Sequence, residues 1–220
     1  MRKKRNIFVW VAMAMALLIT SCGDGEDTLS CYRSSHRVND YVLPDSIIYL
    51  RYEMVDDGSF HVAFSVDGEL VSSGEKISSG SRHELFDSIS GLYHDDHYKG
   101  EISGEESNRV VAFPITTVSI VSDMDYGEQY PAGCNLCDYS IFHGISLGKF
   151  VLNGYRFDES DNFLPYINKP YTELTDAEKC LWYGCIEFEL PVVPTASHNL
   201  TVTISFEGGR TLTKMLRVEL

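Results

Sequence analysis

Leu200, Val202, Ile204 and Phe206 alternate with Thr201, Thr203 and Ser205, and Gly208-Gly209 then turns the chain into Thr211 to Leu220. A two-residue period belongs to an extended chain, because successive side chains leave a strand on opposite faces. The segment therefore predicts a β-hairpin with one buried and one wet face. A hairpin cannot shield its apolar face alone, so the rest of the chain must supply a second layer.

The pattern recurs upstream. In Ile47 to Val55 the even positions Ile48, Leu50, Tyr52 and Met54 are apolar, with Arg51 and Glu53 on the other side. Asp56-Asp57-Gly58 turns the chain, and Phe60, Val62, Phe64 and Val66 repeat the alternation. Asp67-Gly68 reads as a two-residue hairpin turn, returning through Glu69 to Ser73 to complete a meander. Residues 72–81 form a Ser/Gly-rich loop, Glu84 to Leu92 a short helix, and His94 to Asn108 an exposed polar stretch. Strand character returns from Val110 to Val121, broken by Pro114, and again in Tyr139 to Ile145 and Lys149 to Phe157. Thr172 to Trp182 carries a helix signal, with Thr175 and Glu178 spaced as a capping box. Many short strands without βαβ alternation predict a mainly β fold. The expected architecture is an antiparallel β-sandwich, immunoglobulin-like or similar, with one or two short helices. It would occupy residues 41–220, either as one unit or as two subdomains divided near 99–108.

The first residues argue location. Arg2, Lys3, Lys4 and Arg5 precede an uncharged apolar run from Phe8 to Ile19. That run is shorter than the roughly 20 residues a membrane-crossing helix needs, and fits a cleaved export signal. Leu18-Ile19-Thr20-Ser21-Cys22 resembles the bacterial lipobox. The resemblance implies cleavage after residue 21 and acylation of Cys22, giving a lipid anchor with several acyl chains. Gly23-Asp24-Gly25-Glu26-Asp27 resembles the acidic surface-export signal of Bacteroidetes lipoproteins, and residues 22–40 read as a polar tether. The expected address is the outer membrane, with the domain facing outward.

Losing the leader removes four basic residues and no acid, which leaves 14 Lys and Arg against 32 Asp and Glu, a formal charge of −18. So acidic a surface repels nucleic acid and anionic lipid heads and excludes both as partners. Neutral glycans and basic protein surfaces fit it better.

Five cysteines remain beside Cys22: Cys31, Cys134, Cys137, Cys180 and Cys185. Outside the cytoplasm paired cysteines are the default, and disulfides are expected among Cys134, Cys137, Cys180 and Cys185, with Cys31 left over. The same four thiols have the ligand types of a zinc site, although the second pair is spaced too widely for the usual pattern. Cys134-Asn135-Leu136-Cys137 is a CxxC without the βαβ setting of a redox site.

Gly144-Ile145-Ser146-Leu147-Gly148 matches the G-x-S-x-G nucleophile elbow, and Asp158 or Asp176 and then His198 follow in hydrolase order. An elbow needs a strand–turn–helix bend above a parallel sheet, and glycines shaping a hairpin account equally for the match. His94-Asp95-Asp96-His97 offers metal-binding side chains on a loop, and Asp158, Asp161 and Asn162 lack the calcium-loop pattern. Trp182-Tyr183 between Cys180 and Cys185 is a candidate ligand contact, through aromatic stacking on a sugar.

Phe113 to Ser140, the Tyr171 to Cys180 segment and the final hairpin together resemble a family of gut Bacteroidetes surface lipoproteins. The resemblance implies the same address as the lipobox and implies no activity. The expectation is a lipid-anchored surface module that binds glycan or protein without catalysis, needing no cofactor or metal. The alternative is a small hydrolase using Ser146 or a metal site.

Overall fold

The computed structural model describes residues 31–33, 36–73, 81–103, 109–156, 166–181, 184 and 186–219. Among them run eleven strands: β1 (Cys31–Arg33), β2 (Asp40–Met54), β3 (Phe60–Ser72), β4 (Glu101–Ser103), β5 (Arg109–Val111), β6 (Ile115–Ser122), β7 (Ile141–Ile145), β8 (Tyr166–Pro170), β9 (Ile186–Glu189), β10 (His198–Phe206) and β11 (Thr211–Val218). Two α-helices, α1 (Ser81–Leu92) and α2 (Leu147–Leu152), lie between them. The chain is mainly β and antiparallel, and the only parallel pairing among the described strands is the short one of β2 with β5.

A six-stranded sheet, ordered β5-β2-β3-β9-β7-β8, packs on a three-stranded sheet, ordered β11-β10-β6. Alternation supplies the core. Phe60, Val62, Phe64 and Val66 from β3, Phe142 from β7 and Ile186 and Phe188 from β9 meet Val118 and Ile120 from β6 and Leu200, Val202, Ile204 and Phe206 from β10. The C-terminal hairpin forms as its pattern requires, with Gly208 and Gly209 both at positive φ.

The odd-numbered side of β3 faces away from that core. At its Val71 end this outer face is apolar. Tyr41, Val71 and Val110 pack there with Phe86 and Ile89 of α1 and Leu147 and Phe150 of α2. At its His61 end the same face carries ionisable groups. The helices therefore cover one end of the sheet and leave the other polar.

Several local expectations are overturned. Asp67-Gly68 is no hairpin turn, because β3 runs straight through it and Gly68 pairs with Pro44. The described part of Lys149 to Phe157 holds no strand, because Ser146 caps α2, whose Leu147 and Phe150 reach the second cluster. The Thr175–Glu178 capping-box bonds do form, Thr175 N donating to Glu178 Oε2 at 2.9 Å. They close a single turn and no longer helix: among the described residues of Thr172 to Trp182 the regular element is the short 3-10 turn Tyr171–Glu173. The tether ends earlier than residue 40, since Cys31–Arg33 pairs with β4 and Val38 is buried. No helix among the described residues is long and apolar enough to cross a membrane.

Candidate functional site

His61, on β3, and Glu187 and Glu189, on β9, share the outer face because β3 and β9 pair His61 with Glu189 and Ala63 with Glu187. His143 joins them from β7, opposite Glu187, and Tyr166 from β8, opposite Ile145. Each position follows from period-two alternation, so that the apolar neighbours Val62, Phe142 and Phe188 enter the core while these residues project outward.

His61 Nδ1 bonds Glu187 Oε1, and His61 Nε2 lies 2.8 Å from Ser59 Oγ. Ser59 Oγ donates to Asp57 Oδ1 at 2.6 Å. The His61 and His143 rings stack with centroids 5.6 Å apart. His143 Nδ1 is 3.0 Å from the Tyr166 hydroxyl, and its Nε2 stands 3.6 Å from Glu189 Oε2.

Burial opposes charge on both histidines, with opposite results. At His61 desolvation is outweighed by the hydrogen bond and charge of Glu187 together with the charges of Glu189 and Asp57, and the pKa is raised. At His143 burial prevails over the attraction of Glu187, with the nearby His61 charge adding to it, and the pKa is lowered. The bond from His61 holds Glu187 below the ordinary carboxylate range. The shifts favour the charged form of the His61–Glu187 pair and the neutral form of the His143 imidazole. Tyr166 is 47% exposed beside them, enough for its ring to meet a ligand.

The residues singled out from the sequence lie elsewhere. Ser146 does stand between strand and helix, but its backbone is extended and its side chain buried. Its hydroxyl donates to Ala177 O at 2.9 Å and accepts from Lys149 N at 3.0 Å, the bonds of a helix cap. His198 sits on β10 in the other sheet against Ser122 Oγ, and the Asp176 side chain is fully exposed. Ser146, His198 and Asp176 therefore form no catalytic set. Gly148 has a packing reason: a Cβ there would overlap the Ala177 carbonyl. Ser146→Ala should cost about 1 kcal/mol in denaturant unfolding through the lost cap. A loss above roughly 3 kcal/mol would show that the cap is not its main role.

Cys134, Cys137 and Cys180 are free thiols, which corrects the expected disulfides. Cys137 is packed in the main core and Cys180 in the second cluster, so each serves as a small apolar side chain. Burial pushes the Cys180 thiol up to about 12 and the Cys137 thiol well above its usual value, and neither is a ready thiolate. No group of three or more His, Cys, Asp or Glu side chains among the described residues is placed to hold a metal. The His94–His97 loop is not simply exposed, because Asp95 is 0% exposed and accepts backbone bonds from Arg37 and Val38. Cys22, Asp158, Asp161, Asn162, Trp182, Tyr183 and Cys185 lie outside the described residues.

The outer-face cluster went unread in the sequence because its members come from four separate segments. The one local trace is Ile186-Glu187-Phe188-Glu189, whose acids alternate with core residues. The chain matches no protein-family model, no curated protein and no solved structure.

Proposed function

We propose that this chain is a surface lipoprotein, anchored through acylated Cys22 in the outer membrane, whose β-sandwich binds a glycan or protein ligand on the outer face of the six-stranded sheet. Support for the anchor is the basic n-region, the short apolar run and the lipobox-like Leu18 to Cys22, followed by the acidic spacer. The observation that carries the binding reading is the exposed Tyr166 beside His143, Glu187 and Glu189 on a sheet face that the helices leave uncovered. An aromatic ring next to carboxylate acceptors suits a sugar, whose ring stacks while its hydroxyls donate. The formal charge of −18 after cleavage of the leader disfavours sulfated or nucleic polymers and leaves neutral glycans as the first candidates. The hydrolase reading built on Ser146 gains no support from a buried hydroxyl committed to a helix cap.

Two measurements test the proposal. Protease shaving of intact cells should release the domain, and Cys22→Ala should move the protein out of the membrane fraction. Retention of that variant in membranes would refute the anchor. In a glycan panel, Tyr166→Ala should weaken binding about ten-fold with the fold intact, the size of one stacking contact. Binding that ignores Tyr166→Ala but falls on Trp182→Ala would move the site to the Trp182-Tyr183 segment.

A further inference from the structure

We propose that Ser59, His61 and Glu187 form a hydrolytic triad on this face, able to cleave an acyl ester carried by the bound ligand. The inference rests on the sheet face being the ligand site. A nucleophile, a base within hydrogen-bond reach and a third group orienting the base are the parts such chemistry needs, and they are recognised by geometry rather than chain order. All three are present. Ser59 Oγ lies 2.8 Å from His61 Nε2, and Nδ1 of the same ring bonds Glu187 Oε1. Ser59 and His61 share a side of the chain because they flank Phe60, the first residue of β3, and Glu187 arrives from the paired strand β9. The stacked His143 ring fixes the plane of the base. His61 is buried at 4% exposure while Ser59 is only half-buried, which shields the base and leaves the hydroxyl reachable.

The steps balance without a redox partner. Ser59 Oγ attacks the ester carbonyl carbon as Nε2 takes the hydroxyl proton. The bond from that carbon to the alkoxy oxygen breaks, and the alcohol leaves with the proton from Nε2. Water then attacks the acyl-serine, Nε2 accepts its proton, and the acyl carbon–Oγ bond breaks. The acid departs and Oγ regains a proton.

Two features set the conditions. When Nε2 is protonated it donates to Ser59, whose own proton goes to Asp57. The hydroxyl can turn to Nε2 only once His61 is neutral. Because Glu187, with the charges of Glu189 and Asp57, outweighs burial and raises the His61 pKa, activity should climb as pH rises through a value above the ordinary histidine pKa. The turn that carries Ser59 also spends its own amides: Gly58 N donates to Val55 O and Ser59 N to Asp57 Oδ1. Without those donors for the oxyanion, turnover should be slow, on the order of 100- to 1,000-fold below a triad that has them.

The test uses the purified full-length chain, a fluorophosphonate and p-nitrophenyl acetate. The fluorophosphonate should add once, at Ser59 by peptide mapping, and ester hydrolysis should rise with pH. Ser59→Ala, with an unchanged unfolding midpoint, should lose both. Glu187→Gln, which removes the charge behind the positioning bond, should shift the pH profile to lower pH. Absence of labelling, labelling or hydrolysis unchanged in Ser59→Ala, or an unshifted profile in Glu187→Gln would each overturn the triad. Glycan binding that persists in an unlabelled protein removes the triad and keeps the binding reading. Labelling at Ser59 in a protein that binds no glycan does the reverse.

Discussion

Gly68→Ala should be among the most damaging small substitutions available in this chain. A Cβ at that position would overlap the Leu43 carbonyl oxygen and lie 2.9 Å from the carbonyl carbon and 3.1 Å from Asp45 N. These are backbone atoms, and no rotamer change moves them aside. They stand so close because β2 shifts register between Pro44 and Ser46, pressing its chain onto the neighbouring strand. A glycine inside a strand commonly marks such an approach. The expected cost is at least about 3 kcal/mol, the upper end for overpacking, read as a lower midpoint in urea unfolding. Gly58→Ala is the control. Gly58 sits in the β2–β3 turn at φ +89° with no atom within 4 Å of a built Cβ, so only backbone strain of roughly 1–2 kcal/mol opposes that change. Equal losses for the two variants would mean that Gly68 is a turn residue and that β3 does not run through it.

Asp95→Ala should be comparably costly for a different reason. The carboxylate accepts from Arg37 N at 3.0 Å and from Val38 N at 2.9 Å, and Ser90 Oγ ties down its carbonyl at 2.6 Å. Removing the carboxylate leaves two amide donors without their acceptor, one of them on fully buried Val38. An orphaned buried donor costs about 1–3 kcal/mol, so a loss of about 3 kcal/mol is expected. Residues near Arg37 should become the first site of limited proteolysis in the variant. The pH dependence follows from linkage. Burial, opposed by the bonds from Arg37 and Val38, raises the Asp95 pKa above its ordinary value. The folded state then holds this proton more tightly than the unfolded chain does. Stability from this group is fully present below the ordinary carboxylate pKa, declines as pH rises to the raised value, and is level near neutrality. The difference between wild type and Asp95→Ala should therefore widen on acidification. A difference that narrows would show that the bonds from Arg37 and Val38 outweigh burial.

His94 to Asn108 illustrates how little polarity alone reveals. Four ionisable residues in a row read as a solvated loop, yet one of them is the buried clamp for the entry to β2. The distinction depends on Arg37 and Val38, almost 60 positions earlier, which no local pattern connects to Asp95. The Thr175–Glu178 capping box is a similar case. Its bonds form as the spacing requires, but the turn it starts goes no further because local capping does not supply a buried face.

Strand periodicity was legible wherever one face is buried against the opposite sheet, as in Phe60 to Val66 and Leu200 to Phe206, because burial on one side imposes a period of two. It failed at Lys149 to Phe157, where the six residues of α2 are too few to declare a helical period. By itself the sequence determined the mainly β class, the C-terminal hairpin and the strands through Leu50 to Tyr52 and Phe60 to Val66, since these rest on neighbours a few residues apart. The outer-face cluster was decided by the tertiary structure alone. Pairing β3 with β9, and β9 with β7, is a choice of strand order and register, and that choice brings Ser59, His61, His143 and Glu187 together across 128 residues of chain. The free energy that selects it comes from burying Phe64, Phe142 and Phe188 on the opposite face, so the polar residues are carried into place by a core they do not enter.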